Sequence, residues 1–111
     1  MTELIDRFVL EGLSEAVGKD FMGELIDTFL EEAPGIFKDM EQALSESDAD
    51  GFRRAAHSLK TNANTFGAGE LADQAKELEY LARENNLDVG DRFELLEKAY
   101  QQVAEELESL K

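Results

Sequence analysis

His57 is the only histidine in a chain of 111 residues that contains no cysteine. Any imidazole chemistry therefore has a single place to occur, and thiolate nucleophiles, disulfides and thiolate metal sites are excluded. A neutral imidazole is a nucleophile, and with an ordinary pKa near ~6.5 it is largely available at neutral pH. From Gly51 to Gly69 the chain has no acid, where the overall acid frequency predicts between four and five in such a run. Three bases, Arg53, Arg54 and Lys60, lie in the same window. An exposed imidazole inside a basic strip suits an arriving anion. The chemistry it supports is phosphoryl capture, with the Lys60 ammonium, one turn along, offsetting charge on the phosphoryl oxygens.

The helix carrying the strip must turn His57 outward for this to work. At about 100° per residue, an apolar stripe centred on Phe52, Leu59 and Ala63 leaves His57 roughly 140° away, near the opposite face. Arg53, Lys60, Thr61 and Asn64 stand at −4, +3, +4 and +7 from it, spacings that make them surface neighbours on one helix. Gly67, at +10, lies towards the end of that face.

Turn signals and apolar spacing divide the rest of the chain into helices. A short amphipathic segment over 2–17 closes at Gly18. Asp20 offers an N-cap for a long segment over 21–45, in which Pro34 predicts a kink or break near Ala33. Ser47 or Asp48 caps a third segment reaching Phe66. Gly67-Ala68-Gly69 leads into a fourth over 70–85, and Asp91 starts a fifth through Leu110. No strand pattern or repeat is present. The predicted fold is all-α: an antiparallel up-down four-helix bundle with a short additional N-terminal helix, forming one domain over 1–111. The second segment carries apolar residues around half its circumference, from Phe21 to Leu44. They serve either contacts with several neighbouring helices or an exposed docking patch beside the histidine helix.

Composition narrows the function classes. Twenty-six acids against eleven bases give a net charge of −15, which repels nucleic acid and anionic lipid. The first 18 residues hold an apolar run of only three, Phe8-Val9-Leu10, so neither a secretory signal nor a membrane span is predicted. A cytoplasmic location is expected. Phosphate-cradling glycine loops are absent, which argues against a kinase. Di-iron sites in bundles need Glu-x-x-His pairs from two helices, and Arg54 stands three residues before the one histidine. Glu46-x-Asp48-x-Asp50-Gly51 begins like a calcium loop, but its twelfth position is His57, so these acids read as helix capping. No motif supports a Ser-His-Asp hydrolase.

The run Ala56-His57-Ser58-Leu59-Lys60, then Phe66-Gly67-Ala68, then Leu71, closely resembles the histidine-containing phosphotransfer (HPt) domain family. The likeness extends upstream through Phe29-Leu30-Glu31-Glu32-Ala33-Pro34 and downstream through Leu78-Glu79 and the last helix. It implies a phosphorelay intermediate that takes a phosphoryl group from the phospho-aspartate of a receiver domain and passes it to another receiver. By the resemblance, His57 is the phosphoacceptor through Nε2, Lys60 stabilises phosphate, Glu79 orients the imidazole, and Arg83 is a second basic contributor. Arg53, Thr61, Asn64, Gly67 and Arg83 are the candidate partner-binding residues. The implied partners are response-regulator receivers and a hybrid histidine kinase, met by a monomer. No intrinsic cofactor or metal is implied, and Mg²⁺ is expected on the receiver. Thr61-Asn62 stands where the family usually has Gly-Ser, which bears on receiver approach and transfer rate. The alternatives are a non-catalytic helical adaptor and the phosphoacceptor domain of a multidomain kinase.

Overall fold

Each helix boundary follows from a local hydrogen-bonding solution. In the computed structural model, which describes residues 4–111, Asp6 caps α1 (Arg7–Val17) by accepting from the amides of Phe8 and Val9 at 3.0 and 3.4 Å. The first helix therefore starts at Arg7, later than the spacing predicts. Ile5 lies before the cap and is buried in the core, and Thr2 falls outside the described residues. Gly18, at φ 88°, is the entire connection to α2 (Lys19–Ser45). Because glycine turns the chain in one step, α2 begins at once, and Asp20 sits inside its first turn instead of capping it.

The break expected near Ala33 does not occur, and α2 runs as one helix of 27 residues through Pro34. Pro34 and Gly35 face solvent, where water can satisfy the Leu30 carbonyl that loses its amide partner. Ala33, Phe37 and Met40 on the opposite face are buried and hold the helix across that point.

Three helices end alike. After α2, α3 (Ala49–Thr65) and α4 (Gly69–Arg83), residues Ser47, Gly67 and Asn85 adopt positive φ. The amides two positions past each helix's last residue and one beyond that bond back into its final turn, the Schellman arrangement. It places the end of α4 at Arg83, two residues short of the predicted Asn85. Asp48 caps α3 through the Gly51 amide at 3.0 Å, as one of the two expected caps. The fifth helix, α5, spans Arg92–Ser109.

The described chain is all helical. α3 and α4 share the most extensive contact, α2 packs on α3 and on α5, α4 packs on α5, and α1 lies against α2 and α3. Both helices bury alanines, Ala56 and Ala63 on α3 and Ala72, Ala75 and Ala82 on α4. Small side chains let two helix axes approach closely. α2 and α5 are instead spaced by aromatic rings, with Tyr100 5.8 Å from Phe29 and 5.2 Å from Phe37 between ring centroids, while Phe29 also meets Phe66 at the end of α3 at 5.3 Å.

The apolar excess of α2 is taken up by these neighbours. Met22, Ile26, Phe29, Phe37 and Met40 are buried, Leu25, Leu30, Ile36 and Leu44 pack partly buried against them, and Phe21 is the exposed member. Contacts with several helices account for it, without an exposed patch along the length of α2.

Candidate functional site

α3 buries Phe52, Ala56, Leu59 and Ala63 completely, and its periodicity turns His57 outward. The His57 side chain is 55% exposed. Its Nδ1 lies 2.9 Å from Oε1 of Glu79 on α4. Glu79 is the one buried charged residue among those described, at 3% exposure. The close α3–α4 packing brings the two together across 22 residues of sequence.

Glu79 also has two cationic neighbours. Lys60 Nζ, one turn along α3, lies 2.7 Å from Oε2 as an ion pair, not as an aligned hydrogen bond. Arg83 donates to Oε1 at 3.2 Å from the next turn of α4. Burial pushes the Glu79 carboxyl upward, but the close contacts of Lys60 and His57 outweigh it and hold the group below the ordinary glutamate value. The carboxylate is therefore ionised and can only accept, so Nδ1 must carry the proton. The neutral ring then has its lone pair on Nε2, at the edge away from Glu79.

The other bases of the strip are also matched. Arg53 and Arg54 lie 2.8 and 3.3 Å from the two oxygens of Asp50, which stands one residue before the acid-free run. The sequence window counted Arg53, Arg54 and Lys60 as free to meet an anion, but each is paired. Each acid, however, is shared by two cations: Asp50 by Arg53 and Arg54, Glu79 by Lys60 and Arg83.

Thr61 and Asn64 are exposed on the His57 side, Arg53 is partly exposed, and Arg83 has 60% of its side chain in solvent. Gly67 is placed differently from the partner-facing position predicted for it. It is buried under the start of α1, where its carbonyl accepts from the Asp6 amide at 2.7 Å. With φ 76° and space for a Cβ only 2.8 Å from the Asp6 carbonyl oxygen, it is a packing residue at a close backbone approach. Its spacing from His57 could not reveal this, because α1 crosses from a distant part of the sequence. The pairing of Asp50 had a signal, since it stands at i−3 and i−4 from the two arginines.

No group of three or more potential metal ligands occurs among the described residues. No described helix is long and apolar enough to cross a membrane.

A family model, the Hpt domain, matches residues 24–110. The phosphorelay protein LuxU of Vibrio harveyi is 27% identical over 86 residues, covering 78% of this chain and 75% of LuxU. The crystal structure of histidine-containing phosphotransfer protein B (HptB) from Pseudomonas aeruginosa PAO1 matches with a TM-score of 0.91 at 31% identity, covering 98% of this chain and 95% of that one. An exposed imidazole fixed by a buried acid on a helical scaffold and these matches agree: the chain belongs to the Hpt domain family.

Proposed function

We propose that this protein is a histidine phosphotransfer component of a phosphorelay, carrying a phosphoryl group on His57 Nε2 between receiver-domain aspartates. The observation that carries this is the 2.9 Å contact of His57 Nδ1 with buried Glu79, on a ring 55% exposed. It fixes the tautomer that leaves Nε2 nucleophilic and leaves the ring open to a partner. LuxU, a phosphorelay protein by name, supports the same role.

Capture forms the Nε2–P bond as the acyl-phosphate O–P bond of a receiver aspartate breaks. Onward transfer reverses the roles with a second carboxylate. Lys60 and Arg83 supply positive charge near the transferring group, and exchange of Lys60 between Glu79 and a phosphoryl oxygen requires only side-chain rotation. Thr61 and Asn64 border the approach of the receiver, with Arg53 beside them. The helices form an antiparallel four-helix bundle with α1 across one end. The protein is a phosphocarrier, not a nucleotide-using enzyme, and acts as a cytoplasmic monomer on receivers and a hybrid kinase. Mg²⁺ belongs to the acidic pocket of the receiver.

Mixing a panel of phosphorylated receivers with wild-type protein and with His57→Gln tests this. Acid-labile phosphate should accumulate on the wild type alone. A folded wild-type protein that binds a receiver yet gains no phosphate would instead be an adaptor.

A further inference from the structure

The ring of His57 has two sides, and contacts from α4 fill one of them. Glu79 meets Nδ1 there, and Lys60 and Arg83 are both drawn to the same carboxylate. In an imidazole, Nε2 lies at the far edge of the ring from Nδ1, so its lone pair is directed away from α4. At about 100° per residue, Lys60 at +3 stands about 60° round α3 on the α4 side of His57, and Arg54 at −3 stands about 60° round on the other side. Arg54 and Ser58 line the open groove between α3 and α2, so this second side faces α2. Helical side chains also lean over the turn before their own Cα, which carries the His57 ring towards residues 53 and 54. Nε2 therefore lies on the Arg54 side of the helix.

The state of Arg54 suits that place. Of the four cations near His57 its side chain is the most exposed, at 69% against 60% for Arg83, 34% for Arg53 and 23% for Lys60. Its one close contact is from Nε, 3.3 Å from an oxygen of Asp50, and Asp50 is itself 63% exposed. Arg53, by contrast, donates to the same carboxylate at 2.8 Å. An exposed pair such as that of Arg54 is weak. Its two terminal nitrogens have no hydrogen-bond partner among the described residues.

We infer that Arg54 is a further catalytic residue, whose guanidinium binds the phosphoryl oxygens on His57 Nε2. The inference rests on the carrier role proposed above. On capture, the Nε2 lone pair forms the N–P bond, and the electron pair of the breaking O–P bond leaves with the donor carboxylate. Arg54 stays protonated throughout. Phosphoryl oxygens then replace Asp50 as its partners, in the paired geometry that guanidinium and phosphate share. Lys60 and Arg83 approach the group from the α4 side and Arg54 from the α2 side, so the transferring charge is flanked.

Loading with phosphoramidate tests this without any receiver, since ammonia leaves as the ring takes the phosphoryl group. In Arg54→Gln, loading of His57 should slow about tenfold, and Arg54→Lys should recover part of the loss. Lys38→Gln removes the same charge from the groove between α2 and α5. It should load within about twofold of wild type, because salt screens a remote charge. In ¹⁵N-labelled wild type, the Nε–H resonance of Arg54 should shift on loading, and phosphoramidate should leave it unmoved in His57→Gln. An unslowed Arg54→Gln, or an Arg54 resonance that ignores loading, overturns the inference and leaves the carrier role standing. An equal loss in Lys38→Gln also overturns it, since net charge would then suffice. A loaded protein whose Arg54 responds but that exchanges phosphate with no receiver refutes the carrier role and leaves this inference in place. A wild-type ring that phosphoramidate cannot load overturns both.

Discussion

Asp50 and Glu79 present the same stoichiometry in two environments. Each is a carboxylate shared by two cations, and both are held below their ordinary pKa values, Asp50 first by the hydrogen bond from Arg53. Asp50, at the start of α3, keeps 63% of its side chain in solvent, whereas Glu79, one turn before the end of α4, keeps 4%. Water competes for every contact of Asp50, so its pairs act locally: they tie back two arginines and place an acid in the first turn of α3. Glu79 has exchanged water for protein partners. It constrains them in turn, setting the tautomer of His57 and the position of Lys60. Counting ion pairs would equate the two regions, and burial separates them.

The sharpest way to break the comparison is to remove each acid. Glu79→Ala should lower stability by about 2–3 kcal/mol in denaturant titration, because Lys60 and the His57 N–H lose a partner inside the α3–α4 contact. A change as small as that expected for Asp50 would mean that burial does not distinguish them. A smaller effect comes from pH. Glu79 has a depressed folded-state value, so its contribution is fully present above its ordinary value of 4.5 and is lost as pH falls through the lower folded value. The stability difference between wild type and Glu79→Gln should therefore shrink on acidification below that point. Smallest is Asp50→Asn. At ~0.1 M salt it should cost no more than about 0.5 kcal/mol, and that cost should fade as ionic strength rises, while the cost of Glu79→Ala persists. Thermal melts across a salt series would sharpen the contrast.

Much of the site was legible in the residues. The phase of Phe52, Leu59 and Ala63 places His57 outward, and all three are fully buried while the histidine is exposed. The cap at Asp48 and the division into five helices are readable for the same reason. The early start expected for α1 and the break expected at Pro34 were misread, because apolar spacing continues past the Asp6 cap and a proline on the solvent side of a well-packed helix can be accommodated. Gly67 was misassigned because its constraint comes from α1, across some 60 residues of sequence.

Periodicity, capping and charge spacing act within about one helical turn, and with them the chain specifies its helices, the outward face of α3 and the histidine upon it. The burial of Glu79, its contacts with His57 and Lys60 and the tautomer they impose required α3 and α4 to meet. That meeting depends on how small side chains on two helices fit together, and the pattern along either helix does not contain it.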